Sequence, residues 1–206
     1  LYAAGSASSS GFHGADVLQG NRLLDAIAGG EAAGSHAADW IVKRKFTGAA
    51  KLEEAFGLTE AELSMLGEET EGAVQRLNPV VTRLKEILTS LQTPATVASD
   101  YEQALEVLEQ LSVQGEQLYC DQTSLIANQN LLEILRIQSA IRMALAYVQS
   151  ALRRTESRGL HQRSDFPQAD DEQLHHNLIF HDGTCATLAL RKGPSGNWIL
   201  PPSSAV

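Results

Sequence analysis

The sequence predicts a mainly α protein, a three-helix bundle with a short strand at the front and a small β-hairpin at the back. Three observations carry this. Ala, Leu, Glu and Gln dominate a chain with only 5% aromatic residues, a composition that favours helices. Ile134, Ile137, Ile141, Leu145, Val148 and Leu152 recur at three- and four-residue steps, the mark of one buried helix face. Near the end, Leu178-Ile179-Phe180, Asp182-Gly183 and Thr187-Leu188-Ala189-Leu190 read as strand, turn and strand.

Taken in order, Leu1-Tyr2-Ala3-Ala4-Gly5 reads as a short buried strand that ends at a glycine turn. A chain that opens inside a strand rather than with Met is expected to be an excised domain, a proteolytic product or one piece of a larger polypeptide. Residues 6–19 form a Gly/Ser-rich loop with Ser6, Ser8, Ser9 and Ser10. A helix starts near Gly20-Asn21, carries Leu23, Leu24, Ile27 and Ala28, and stops at Lys43-Arg44-Lys45, a basic end that suits a helix C-terminus. Residues 46–67 are a linker with a short helix, and Thr59-x-x-Glu62 has the form of a capping box.

The bundle occupies 68–158. Helix over 68–92 is interrupted at Asn78-Pro79, where Asn caps and Pro takes the first helical position. Val81, Leu84, Ile87, Leu88 and Leu91 then make one apolar face. Ser99-x-x-Glu102 reads as a second capping box, opening a helix to about 118 with Leu105, Leu108, Leu111 and Val113 inward. The longest helix is expected from Thr123 to Thr155. The connections are short enough for an antiparallel bundle. Residues 159–206 form the last region. A polar loop with a short helix precedes the hairpin, and an irregular tail with Gly193-Pro194 and Pro201-Pro202 follows it.

Composition sets bounds on function. The net charge of −9, with no basic stripe, argues against a nucleic-acid surface. No segment reaches membrane-spanning length, so direct membrane insertion is not expected. Cys120 and Cys185 are isolated and fit a reducing, cytoplasmic setting. His161, His175, His176 and His181 match no closed zinc spacing, and Asp170-Asp171-Glu172 reads as a solvated turn, so no metal site is expected.

Two motifs carry chemistry. Gly11-Phe12-His13-Gly14-Ala15-Asp16-Val17-Leu18-Gln19-Gly20-Asn21-Arg22-Leu23-Leu24-Asp25 is a glycine-rich loop feeding a helix. Such a loop lets backbone approach a ring closely and aims a helix N-terminus at it. Glu156-Ser157-Arg158-Gly159-Leu160-His161-Gln162-Arg163 follows the longest helix, and Asp170-Asp171-Glu172 and His176-x-Leu178-x-Phe180-x-Asp182 come after it.

Together, in this order, the two motifs resemble the flavoprotein subunit of succinate dehydrogenase and fumarate reductase. Its front motif runs G-x-H-G-A-N-R-L-G-S-N-S-L-L-E and its back motif E-S-R-G-x-H-x-R, D-D, H-x-L-x-F/Y-x-D. L-aspartate oxidase shares E-S-R-G-x-H, but the continuation favours the succinate/fumarate branch. The resemblance spans 1–34 and 124–190 and is loose between.

It implies that the chain is the C-terminal portion of a larger α/β FAD protein. Residues 1–45 would be the end of the FAD-binding domain, with a flavin-facing helix. Gly5, Ser6, Gly20, Asn21, Arg22 and Leu23 would then lie nearest the cofactor, and His13 and Gly14 would line the substrate pocket. For His13 a plain turn-shaping hydrogen bond is the competing role, and for Arg22 a solvated helix start. The implied activity is hydride transfer between a dicarboxylate-type substrate and FAD. The implied partners are the remainder of the flavoprotein and an iron–sulfur subunit, which would make the protein peripheral to the inner membrane.

Several positions depart from the family pattern, one of them Arg22, which replaces the serine at the helix start. Val17 stands where the family has its substrate-clamping arginine, Asp16 replaces asparagine, Gln19 replaces glycine, and Ser6 replaces the acidic cofactor ligand. The chain also lacks a dinucleotide fingerprint and the capping domain with its proton-donating arginine, so no catalytic residue is assigned and turnover by this chain alone is not expected. Glu156, Arg158, His161 and Arg163 are expected to form a buried polar hub tying bundle to flavin domain, rather than a second catalytic cluster. A non-catalytic interaction module derived from the flavoprotein, and an unrelated helical scaffold, are the competing functional classes.

Overall fold

The computed structural model describes residues 1–9, 11, 13–14, 17–44, 48–65, 75–120, 124, 126–180, 182–189, 191–192 and 198–199. Among the described residues five α-helices come first: α1 (Asn21–Val42), α2 (Ala49–Met65), α3 (Leu77–Ser90), α4 (Ala98–Glu116) and α5 (Gln129–Arg153). Four short strands follow: β1 (His175–Ile179), β2 (Cys185–Ala189), β3 (Arg191–Lys192) and β4 (Trp198–Ile199).

The bundle expected from periodicity is formed by α3, α4 and α5. Ile134, Ile141 and Val148 of α5 are buried against Tyr101, Ala104, Leu108 and Leu111 of α4 and Val80 and Leu84 of α3. Ile137, Leu145 and Leu152 flank them, partly buried. Each fully buried aliphatic side chain contributes roughly 1.5–3 kcal/mol. Helices α4 and α5 approach closely at Gly115, where a methyl group would sit 3.2 Å from Ile141 Cδ1. Gln138 seals the contact, its Nε2 donating to the Gly115 carbonyl at 2.9 Å.

The hairpin forms as expected, with β1 and β2 antiparallel and His176 opposite Leu188. Its turn is held by Asp182 Oδ1, which accepts from the Thr184 amide at 2.9 Å. Beyond it, Arg191 and Lys192 pair with Ile199 and Trp198. The tail, expected to be irregular, therefore carries a second short ladder.

Other expectations are corrected. Residues 1–4 form no ladder, and Gly5–Ser8 is a 3-10 turn closed by Ser8 Oγ donating to the Gly5 carbonyl at 2.7 Å. A strand needs a neighbour for its amides and carbonyls, and no described segment pairs with this one. Thr59 caps nothing: it lies inside α2, where its hydroxyl donates to the Ala55 carbonyl, and the linker helix is 17 residues long rather than short.

The cap of α4 is Val97, whose amide donates to Asp100 Oδ2 at 2.9 Å, so the box starting at Ser99 is displaced by two residues. Helix α3 starts at Leu77, and Pro79 sits in its first turn, where an amide needs no partner; Asn78 is not the cap. Helix α5 starts at Gln129, after Asn128, and not near Thr123, which lies outside the described residues. Val113 points to solvent at 58% exposure, whereas Val80, Tyr101, Leu118 and Leu131 are among the buried residues that the pattern missed. In all these cases the sequence signal was locally valid. Tertiary contacts chose between neighbouring registers.

Candidate functional site

The site grows from the C-terminal end of α5. After Arg153 the chain turns into extended backbone at Arg154 and delivers a dense polar segment, residues 154–173, against the bundle. Glu156 is fully buried. One carboxylate oxygen pairs with Arg154 Nη1. The other accepts from Arg158 Nε at 3.0 Å and from the Asp170 amide at 2.9 Å. Burial pushes its carboxyl up, but that amide and the two guanidinium groups outweigh it and hold the group below the usual carboxylate range. Arg158 completes the turn to the acidic run, its Nη2 donating to the Asp170 carbonyl at 3.2 Å and to Asp171 Oδ1 at 3.3 Å.

A second pair lies deeper. Arg163, 2% exposed, binds Asp165 and also donates from Nη1 to the Leu152 carbonyl at 2.9 Å and the Arg154 carbonyl at 3.2 Å, capping α5. Its guanidinium lies 4.7 Å from the Phe166 ring centroid and 5.9 Å from that of Tyr101, within cation–π range. Ser157 knits the loop, its Oγ donating to the Phe166 carbonyl at 2.8 Å and accepting from the Arg163 amide at 2.8 Å. His161 donates from Nε2 to the Arg154 carbonyl at 3.2 Å, because a carbonyl can only accept. Burial, and repulsion from Arg154 and Arg163, push this imidazole below its ordinary value.

The structure thus brings Glu156, Arg158, His161 and Arg163 into one region, but as two pairs rather than one ring. Glu156 serves Arg158, and Arg163 serves Asp165. Two residues central to this arrangement were missed. Arg154 donates to Glu156 and also to the Gln173 and His175 carbonyls, at 2.9 and 2.6 Å, stitching α5 to β1. Asp165 binds Arg163 and accepts from the Ala98 amide at 3.1 Å. The run Arg153-Arg154 at a helix end and the i, i+2 spacing of Arg163 and Asp165 were the available signals.

Above this segment lies a cleft of about 570 Å³. Its walls are Tyr147, Ser150, Ala151 and Arg154 of α5 and its end, Arg158, Leu160 and His161 of the turn, and residues 173–177 leading into β1. Gly11 and Gly14 of the front loop close the other side. Gly11 has φ +69°, and a methyl group there would meet the His176 ring at 2.9 Å; only glycine fits that approach. Asn177 ties the wall to α5, its Nδ2 donating to the Ser150 carbonyl at 2.9 Å.

The remaining front residues are placed as follows. Gly14 lines the cleft, while His13 Nε2 stands 3.4 Å from Asp25 Oδ2. Val17 is half-buried. Gly20, at φ +86°, caps α1 without a side-chain bond, and no acidic residue follows in the first turn. Arg22 and Leu23 are exposed on that turn, and Asn21 is half-buried. Ser6 is exposed in the 3-10 turn, and Gly5 is buried against Ala26 of α1. Asp16, Ser10 and His181 lie outside the described residues. Among the described residues no group of His, Cys, Asp or Glu has metal-binding geometry, and no helix is long and apolar enough to cross a membrane.

Residues 81–196 match the family model described as "Fumarate reductase flavoprotein C-term". The fumarate reductase flavoprotein subunit of Mycobacterium tuberculosis is 28% identical over 209 residues, covering 100% of this chain and 36% of that protein. The succinate dehydrogenase flavoprotein subunit of Coxiella burnetii is 29% identical over 218 residues, covering 99% and 34%. Among solved structures, the FrdA chain of an E. coli quinol fumarate reductase mutant superposes with a TM-score of 0.78 at 24% identity, over 91% of this chain and 32% of that one. A quinol–fumarate reductase with menaquinol molecules gives 0.81 at 23% identity, over 100% and 35%. At such identities the structural likeness shows the fold alone. The chain spans about a third of the length of the curated relatives it matches.

Proposed function

Because the chain belongs to the C-terminal family of succinate dehydrogenase and fumarate reductase flavoproteins, we propose that it completes an FAD-dependent oxidoreductase acting on a dicarboxylate-type substrate. In this reading residues 1–45 end the FAD-binding domain, 46–67 link, 68–158 form the helical domain and 159–206 the C-terminal region. The observation that carries it is the meeting of the two motif-bearing ends at one cleft, with Gly11 against His176 and Gly14 on the wall shared with Arg154 and Arg158.

The front residues fit a flavin ring. Among the described residues, nothing apart from the chain neighbours stands within 4 Å of where a side chain would begin at Gly14 or Gly20. Helix α1 also presents an N-terminus with no side-chain cap and no acidic residue in its first turn. Its amides and dipole favour negative charge, so Gly20, Asn21, Arg22 and Leu23 would face the ring's pyrimidine edge. FAD, when bound, supplies the acceptor for substrate hydride. Gly14 and His13 would border the substrate, and the pairs at Glu156 and Arg163 would hold the helical domain rigid beneath the loop. The partners in this reading are the rest of the flavoprotein and an iron–sulfur subunit, with peripheral attachment to a membrane through other subunits.

The test is reconstitution. Co-expressed with the N-terminal two-thirds of a homologous flavoprotein subunit, this chain is expected to copurify in a yellow complex with flavin absorbance. A colourless complex in excess FAD overturns the reading.

Val17 supports a second reading, a non-catalytic module derived from the same flavoprotein. An aliphatic side chain cannot clamp a carboxylate. If the reconstituted complex binds FAD but turns over no dicarboxylate, and Val17→Arg restores turnover, the domain retains the fold and has lost the chemistry.

A further inference from the structure

We propose that the C-terminal end of α1 is a contact site for an anionic phospholipid surface, made directly by this chain and independent of any other subunit. One stripe of the helix carries a ladder of rings that ends in a cation. The Tyr2 hydroxyl stands 2.7 Å from His36 Nδ1, with the two rings 5.6 Å apart. Trp40 follows one turn later on the same face, and the Arg44 guanidinium lies 5.1 Å from the Trp40 ring centroid. All four residues are exposed.

The apolar surface at this end runs round the helix rather than along one side. Trp40, Ile41 and Val42 are consecutive and 48%, 51% and 85% exposed. Successive positions on a helix point about 100° apart, whereas a protein groove takes a single stripe of a docked helix. Three adjacent apolar residues are covered together by a medium that surrounds the helix end. A bilayer interface is such a medium, and Trp and Tyr concentrate there.

The charge fits the same partner. Lys43 and Arg44 close the helix, their amides donating to the Trp40 and Ile41 carbonyls at 3.2 and 3.3 Å, and Lys45 follows them in the longest basic run of a chain whose net charge is −9. The one acid among residues 36–45 is Asp39, so the run stays net positive. The helix dipole accounts for cations at this end but not for the exposed indole beside them. Long basic side chains reach phosphates while rings and aliphatic groups settle below. At physiological salt the acidic remainder of the molecule is screened beyond about 8 Å. The first half of α1 differs. Leu23, Leu24 and Ile27 are exposed there without a following cation, which suits cover by the rest of the flavoprotein, whereas strongly hydrated cations keep the last turn at the solvent boundary.

The experiment uses the full 206-residue chain with Trp198→Phe, which leaves Trp40 as its one indole, and vesicles of equal parts phosphatidylglycerol and phosphatidylcholine. Trp40 emission should shift to the blue with these vesicles and stay unmoved with phosphatidylcholine alone. The fraction that sediments with the mixed vesicles should fall as salt is raised. In the wild-type background Trp40→Ala should weaken sedimentation binding roughly tenfold. Lys43→Glu combined with Arg44→Glu should weaken it roughly a hundredfold or more. These side chains are exposed, so the helical circular dichroism of the variants should match the wild type. No binding to the mixed vesicles, equal binding to neutral ones, or affinity unmoved by both variants overturns the proposal. So does an equal blue shift with poly-glutamate, which would assign the patch to an acidic peptide.

Discussion

Arg163 holds Asp165 with both arms of its guanidinium, Nε to Oδ1 at 2.9 Å and Nη2 to Oδ2 at 2.5 Å, while Oδ2 also accepts from the Ala98 amide at the start of α4. One carboxylate thus joins the segment after α5 to the first turn of α4. Nearby, the Ser164 amide donates to the Thr96 carbonyl at 3.0 Å. The polar segment is fastened to the bundle at a helix N-terminus, where a negative charge is favoured twice over, by the cation and by the dipole.

Asp165→Asn should therefore destabilise the chain, by about 3 kcal/mol at neutral pH, since it leaves Arg163 buried and unpaired. The hydrogen bonds from Arg163, opposed by burial, hold the Asp165 carboxyl down to about 2. A depressed carboxylate contributes stability above its unfolded value, and the contribution is lost as pH falls through the folded value. The gap in urea midpoint between wild type and Asp165→Asn should be constant above pH ~4 and close as the pH approaches ~2. A gap that stays open would show that the charge is not what matters.

Glu156→Gln should cost about 3–5 kcal/mol. The amide keeps the shape but cannot balance Arg154 and Arg158, and it cannot accept at both positions. Urea denaturation of the chain measures the loss. Restoring stability by neutralising Arg158 in the same chain, as Arg158→Met, would confirm that the penalty comes from unpaired charge.

The imidazoles of His161 and His176 should both titrate below the ordinary histidine value. Burial is the main cause for each. Arg154 and Arg163 add to it at His161, and Arg154 and His175 at His176. The unfolded chain then binds protons that the folded chain refuses, so stability is full above ~6.5 and falls as the solution is acidified through the folded values. Ring-proton NMR titration gives both midpoints. Values above ~6.5 would contradict the burial described here.

Two residues of types that can cap a helix should behave differently. Asn128→Ala should cost at least ~1 kcal/mol, because Asn128 is buried and its side chain accepts from the Leu131 amide at 2.8 Å. Thr59→Ala should leave stability within ~0.5 kcal/mol, because Thr59 lies exposed in the middle of α2. Thermal unfolding of both variants separates the true cap from the apparent one.

The bundle was legible in the chain because helix burial imposes a period that composition cannot hide. Ile134, Ile141 and Val148 lie where their spacing put them. The hairpin was legible for the same reason at period two, with its Asp182-Gly183 turn. Caps were less legible. Thr59-x-x-Glu62 and Ser99-x-x-Glu102 both satisfy the pattern, but a cap works only if the helix starts there, and helix starts were set by contacts such as that of Asp165 with the Ala98 amide. The front strand failed as a prediction because a strand is defined by its neighbour.

Taken alone, the sequence determined which residues are apolar and at what period, and where glycine breaks the chain. It also determined that Arg, Glu and His cluster after the longest helix. Tertiary structure alone decided how those charges pair, with Glu156 taking Arg154 and Arg158 while Arg163 takes Asp165. It alone brought Gly11 onto His176, more than a hundred positions away. Periodic burial is a property of one helix and is written locally. Pairing of charges and closure of a cleft depend on distances between segments, which exist only once the core has packed.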